Sequence, residues 1–396
     1  MKKILLTILA VLAMGGMAMA QTAPADINLH RNEDGTWSFI MPGRNRVMST
    51  ESFSTNDTVN GHYLAGVPEG WLILALGDTV PVSNDSLRRT TPITEGTPVT
   101  IVPTGNLRRI KSITLVDASA PAGPTLDLAT VTADTTVEDG YTLTGTLGAN
   151  VKISIADGAT VTLDGVTING YNSNSCKWAG ITCLGDATII LSGTNTVKGF
   201  YDEFPGIYVP QNKTLTIQGS GSLTASSNGY GCGIGGGYEI ACGNIVIAGG
   251  TITATGGDFA AAGIGGCDTG SCGTISITGG TITATGGDSA PGIGSGYGGQ
   301  CGDISITGGT INANGGESAA GIGSGNSGSC GDITITNGVT SVTATKGEGA
   351  DYSIGASNYG SCGTVTIGCT LDGGGNPVGG TTGQISTSPY TYQPSN

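Results

Sequence analysis

The chain has 396 residues, 72 of them glycine, with only 5% aromatic and 11% charged side chains and a net charge of −14. Without a period such a composition reads as disordered. The acidic balance disfavours nucleic acid, whose phosphates need Lys and Arg to displace counterions, and equally anionic lipid and polyuronates. Neutral glycans, cations and other proteins stay open by charge.

Lys2 and Lys3, the apolar run Ile4 to Ala13 and the small-residue stretch Ala18-Met19-Ala20 have the three parts of a secretory signal. Residues 1–20 are expected to be cleaved off after Ala20, which places the chain outside the cytoplasm, secreted or at the cell surface. The apolar run is too short to span a bilayer and no later stretch is longer, so no transmembrane segment is expected. Residues 21–120 hold all the arginines and short alternating stretches such as Trp37-Ser38-Phe39-Ile40 and Trp71-Leu72-Ile73-Leu74. They read as one or two small β-domains, followed by a linker over 121–125 that contains Pro121-Ala122-Gly123-Pro124.

From residue 126 a strict repeat takes over. Gly233-Ile234-Gly235, Gly263-Ile264-Gly265, Gly292-Ile293-Gly294 and Gly321-Ile322-Gly323 recur at near-constant spacing, with Gly180-Ile181, Gly206-Ile207 and Ser353-Ile354-Gly355 as outer copies. Between them runs a second motif, complete at Cys272-Gly273-Thr274-Ile275-Ser276-Ile277 followed by Gly279-Gly280-Thr281-Ile282-Thr283-Ala284-Thr285. Its copies start at Cys242, Cys301, Cys330 and Cys362. The alternation has period two, so Ile and Ala face one side and Thr and Ser the other. One unit cannot bury so narrow an apolar face, but stacked copies form continuous inner ladders. Each unit is read as three short strands with glycine corners. The expected fold is all-β, a right-handed parallel β-helix of about seven to nine rungs over 126–380, with 381–396 as a tail.

The block from Ala159-Thr160-Val161-Thr162-Leu163 through Gly233-Ile234-Gly235-Gly236-Gly237 to Gly249-Gly250-Thr251-Ile252-Thr253-Ala254-Thr255 resembles secreted, glycine-rich β-helix repeat proteins of anaerobic gut bacteria. These are grouped with carbohydrate-binding, pectin-lyase-like solenoids. The resemblance covers roughly residues 125–370 and implies glycan binding or adhesion at the cell surface. Asp34-Gly35-Thr36-Trp37-Ser38-Phe39-Ile40-Met41-Pro42 is similar to short surface-protein β-repeats of the same organisms. Resembling a pectate lyase would require an arginine on the solenoid face, and there is none beyond residue 125; resembling a polygalacturonase would require a histidine there, and His30 and His62 lie outside it. Arg109-Ile110-Lys111 looks like that family's basic motif but stands without its partners. A carboxylate pair such as Asp202-Glu203 keeps a glycosidase open as an alternative; the expectation is no enzyme and no catalytic residue.

Four surfaces are candidates for binding. Trp178, Phe200, Tyr201, Phe204 and Tyr208 gather around Asp202 and Glu203 in an insertion between early rungs. Aromatic faces suit the C–H faces of sugars and carboxylates accept hydroxyl hydrogen bonds, whereas a buried plug would account for the same residues. Tyr238, Tyr297 and Tyr359 fall near one turn column, a stacking strip or plain decoration. Asp258, Asp288, Glu317 and Glu348 form an acidic column, read either as a calcium ladder or as solvated turns. Thr251, Thr253 and Thr255, stacked on Thr281, Thr283 and Thr285, make a flat lattice with ice binding as a minor alternative; it degrades to Asn312 and Asn314.

All ten cysteines lie beyond residue 175. The set Cys242, Cys272, Cys301, Cys330 and Cys362 can be an unbridged inner stack or rung-to-rung disulfides; local pairs Cys176–Cys183 and Cys267–Cys272 are alternatives. The overall expectation is a secreted or surface solenoid, not catalytic, that binds extracellular glycans. Its alternatives are a structural rod contacting surface proteins and an extracellular polysaccharide-degrading enzyme. No cofactor is expected, with calcium as the alternative.

Overall fold

The computed structural model describes residues 124–394 apart from Asn172, and within residues 30–117 the backbone of eight strands. The proposed signal segment, His62, Arg109-Ile110-Lys111 and residues 121–123 lie outside the described residues. The chain divides into two compact units between Gly123 and Pro124. In the first, strands His30–Arg31, Trp37–Ile40, Pro98–Val102, Trp71–Ala75 and Asp78–Val82 lie side by side in one antiparallel sheet. Arg46–Glu51 lies between Leu87–Arg88 and Ser112–Asp117 in a second.

The second unit is a parallel solenoid. Its regular rung has four strands, shown by Ser271–Cys272, Ile275–Ile277, Thr281–Thr285 and Ile293–Ser295. The cysteine strand was not expected: at two residues it is too short to show a period, and only stacking makes it a sheet. Each strand pairs in parallel with its copy on the next rung, as Thr281↔Thr310, Ile282↔Ile311 and Ala284↔Ala313 show. The period-two pattern then sorts the faces. Ile282 and Ala284 are 1% and 0% exposed, while Thr281 faces solvent.

Stacking turns each apolar position into a continuous seam. Ile207, Ile234, Ile264, Ile293, Ile322 and Ile354 pair in register through a nine-stranded sheet, and all six are fully buried. Burying such a side chain contributes about 1.5–3 kcal/mol. From Ile234 onward a glycine follows the ladder isoleucine, and through the regular rungs it is required twice over. Gly265, Gly294 and Gly323 adopt φ of +132°, +137° and +135°, and a Cβ there would strike the main-chain oxygen of the next rung's glycine.

Acidic residues serve the corners as well as the charge balance. The Asp186 N–H donates to Asp157 Oδ1 at 2.8 Å and the Thr214 N–H to Asp186 Oδ1 at 2.7 Å. Asp303 and Asp332 repeat the device for Asp332 N–H and Thr364 N–H. A carboxylate at a rung corner thus takes up a donor that leaves the sheet ladder.

Both ends depart from the simple picture. Thr125–Asp127 already pairs in parallel with Thr142–Thr144, so the first rung begins at the unit boundary. The segment read as a tail is instead structured. Thr381–Thr382 pairs antiparallel with Val365–Leu371, and Tyr390–Tyr392 pairs antiparallel with Ser341–Thr345. Ile385, Tyr390 and Tyr392 pack against the core. Reversing the chain direction pairs the last rungs with strands of another sense, which manages their edges.

Candidate functional site

The insertion after Thr194–Lys198 divides its aromatics between two roles. Phe200 is 2% exposed and belongs to the core. Its ring lies 5.7 Å from that of Trp178, which packs half-buried against the same core. These two rings plug the interior rather than face a ligand. Tyr201 is half-buried beneath Lys177 Nζ, 4.9 Å from its ring centroid. Phe204 and Tyr208 are half-buried too. The Tyr208 hydroxyl donates to the Ala241 carbonyl at 3.3 Å, and burial pushes its pKa up.

The main-chain carbonyls of Asp202 and Glu203 hold the following turns. The Asp202 carbonyl accepts from the N–H groups of Tyr230 (2.6 Å) and Gly231 (2.9 Å), and the Glu203 carbonyl accepts from Tyr238 N–H (2.9 Å). The insertion is therefore a support, and what it supports is aromatic. Tyr230 stacks on Phe259, with centroids 5.1 Å apart and planes 23° from parallel, and meets Tyr238 edge-on at 5.4 Å. Phe259, on the following rung, is 51% exposed. Such offset-stacked and edge-to-face pairs are worth about 0.5–1.5 kcal/mol beyond burial, enough to hold one another in place.

Carboxylates flank this platform. The Glu239 N–H donates to the Asp268 carbonyl at 3.0 Å. The Tyr238 hydroxyl titrates above its usual range because Glu239 accepts from it and adds negative charge nearby. Burial, then the charge of Glu239, pushes the Asp268 carboxyl up. Aromatic rings, a phenol and two carboxylates thus lie along one edge.

The same edge holds unusual backbone. Glu239, Thr269, Ser327 and Tyr359 share one turn position on successive rungs, at φ +55°, +52°, +57° and +58°. Glycine occupies that position only at Gly298, φ +58°. A non-glycine residue there costs on the order of 1 kcal/mol, so four rungs carry a side chain where glycine would be relaxed. Tyr297 continues the aromatic row: it is 42% exposed, and its N–H donates to the Ala260 carbonyl, next to Phe259. Tyr359 is 92% exposed.

The other candidates fall out differently. Asp258, Asp288, Glu317 and Glu348 are exposed and their main chains stack, as in Asp288 N–H to Asp258 O at 3.1 Å. Among the described residues no three His, Cys, Asp or Glu side chains converge as a metal-holding group, and this column is no exception. The Thr251–Thr255 and Thr281–Thr285 faces are in register and open to solvent, and Asn312 and Asn314 extend them. Cys232 and Cys267, on neighbouring rungs, form a disulfide. Cys176 and Cys183 are free thiols, as is Cys272, so neither local pairing forms. Cys242, Cys272, Cys301 and Cys330 are the buried stack, with Cys362 half-buried at its end.

Sequence reasoning passed over Tyr230 and Phe259. They stand four and five positions before their ladder isoleucines, so an alignment on Ile234 and Ile264 puts them out of step. A window for aromatics between threonine strand and ladder isoleucine would have found both.

A family model described as "Beta helix repeat" matches residues 215–238, 245–270, 275–297 and 304–326. Over those stretches the solenoid is built of β-helix repeats. The first of those stretches contains Tyr230 and Tyr238, and the second contains Phe259 and Asp268. No curated protein and no solved structure matches the chain significantly. No helix among the described residues is long and apolar enough to cross a membrane.

Proposed function

We propose that this β-helix is a secreted or surface-displayed, non-catalytic protein that binds extracellular glycans through the edge formed by Tyr230, Tyr238 and Phe259. One observation carries the reading: a stacked pair of rings, Phe259 exposed and Tyr230 half-buried, flanked by Glu239 and Asp268 on an otherwise aromatic-poor rod. The surrounding acidity directs the choice toward uncharged sugars and away from uronates or sulfated chains. Phe200, buried, and Trp178, half-buried against it, set the position of the insertion that supports the edge. Calcium has no role in this proposal.

The test is a glycan-array screen of the chain beside Phe259→Ala and Tyr230→Ala variants. Saturable binding is expected, weakened about tenfold or more in each variant, as for aromatic hot spots worth about 2 kcal/mol, with unchanged thermal unfolding for Phe259→Ala. A folded chain that binds no glycan, or variants that bind as well as the parent, would overturn the reading and favour a rod that contacts other proteins.

A further inference from the structure

The solenoid interior carries a second chemistry that glycan binding does not use. Cys272, Cys301, Cys330 and Cys362 pair in register on four successive two-residue strands. The thiols point back along the axis: Cys272 Sγ lies 3.6 Å from the Gly243 carbonyl, Cys301 Sγ 3.6 Å from Gly273, and Cys362 Sγ 3.7 Å from Gly331.

The ladder is closed at one end and open at the other. Cys242, Cys272, Cys301 and Cys330 are 2–7% exposed, whereas Cys362 is half-buried. The reason is topological. Ser361–Cys362 is the terminal strand of its sheet, and the antiparallel strands that end the solenoid pair with Val365–Leu371 and Ser341–Thr345 instead. Solvent therefore reaches the row of thiols at Cys362.

In-register neighbours on adjacent parallel strands have Cα atoms about 4.8 Å apart, within the span a disulfide tolerates. Cross-linking of neighbouring rungs already occurs elsewhere in the molecule, at Cys232–Cys267 with Cα atoms 5.8 Å apart. We propose that Cys330 and Cys362 form a thiol–disulfide exchange site, which takes up a small-molecule disulfide such as oxidised glutathione and is left as a bridge between the last two rungs.

The two thiols divide the work. The Cys330 thiol donates to Cys362 sulfur and holds the Cys362 pKa below its ordinary value, while that hydrogen bond and burial push Cys330 up. Cys362 is the exposed partner and attacks first. Its thiolate forms a bond to one sulfur of the oxidant, the S–S bond of the oxidant breaks, and one glutathione thiolate leaves. Cys330 then gives its proton to solvent, and its sulfur attacks Cys362 Sγ, expelling the second glutathione thiolate. The chain has lost two hydrogens and the oxidant has become two thiols. Cys301 and Cys272 stay reduced, because the oxidant reaches the row only at Cys362 and neither of them is its neighbour in the stack.

The experiment treats the full-length folded chain with oxidised glutathione, alkylates the remaining thiols and maps peptides without reduction. The expected product joins Cys330 to Cys362 and leaves Cys272 and Cys301 unmodified until the chain is unfolded. With Cys330→Ser, a glutathione adduct accumulates on Cys362; with Cys362→Ser, Cys330 stays free. Near-parental far-ultraviolet dichroism checks that each variant folds. A Cys362 that stays free on the folded chain, a bridge to any other cysteine, or a Cys330→Ser chain without the adduct would overturn the proposal.

Discussion

Shortening Ile293 to alanine tests whether the stacked isoleucines are one continuous core. Ile293 is fully buried, with Ile264 on the preceding rung and Ile322 on the next, both fully buried as well. The change removes three carbons, about 2.4 kcal/mol at about 0.8 kcal/mol per buried methylene. The rungs on either side are tied by main-chain pairing and cannot close the gap, so a cavity cost adds to the transfer cost. The expected total is about 3–4 kcal/mol, inside the usual range for such truncations. Ile293→Val should cost about 1 kcal/mol. Thr283→Ala, on the outward face of the adjoining strand, should stay within about 0.5 kcal/mol. Urea unfolding followed by far-ultraviolet dichroism gives the differences, and hydrogen exchange at the Ile264 and Ile322 amides shows whether the loss is felt on both neighbouring rungs. A cost below about 1 kcal/mol, or one equal to that of Thr283→Ala, would refute the argument that the ladder isoleucines carry the stability.

Gly294→Ala puts a methyl group against the Gly323 carbonyl oxygen at φ +137°. Backbone strain alone makes it about 1–3 kcal/mol destabilising, whereas Gly148→Ala, with nothing within 4 Å, should leave the melting temperature nearly unchanged. The Asp157 carboxyl is held below its ordinary range, first by the Asp186 N–H and then by Lys213, whose Nζ lies 3.2 Å away. Its contribution is fully present above the unfolded value of about 3.9 and is lost as pH falls through the lower folded value. Asp157→Asn should therefore reduce the acid-side slope of the melting temperature below about pH 4 and leave the slope near neutrality unchanged; thermal melts across that window decide it.

The solenoid was readable in the sequence because its determinants are local and repeated. Ile275-Ser276-Ile277 and Thr281-Ile282-Thr283-Ala284-Thr285 each state their own inner and outer face, and the next copy states it again. The insertion was readable as an aromatic cluster, but not as a plug plus a support. Whether Phe200 points inward depends on the rungs around it, and the service of Asp202 and Glu203 runs through carbonyls that no side-chain pattern reveals. The platform was hidden for a related reason: Tyr230 and Phe259 meet only because two rungs stack, with unequal loops between them. The antiparallel ending was hidden because Thr381–Thr382 and Tyr390–Tyr392 are short, and the partner of Tyr390–Tyr392 lies more than one rung back in sequence.

The unbroken register of Ile264, Ile293 and Ile322 has a consequence for how such a molecule changes length. Each joint between rungs presents the same seam above and below, so a whole unit is interchangeable with its neighbour. Excising the residues from one ladder isoleucine to the next would bring two matching surfaces together, and duplicating them would insert another matching pair. The aromatic edge lies on middle rungs and the antiparallel ending on the last ones. The number of units between them therefore sets their separation, in steps of about 4.8 Å. Reach is counted in whole rungs, and a lineage could alter it by unequal recombination without redesigning either end.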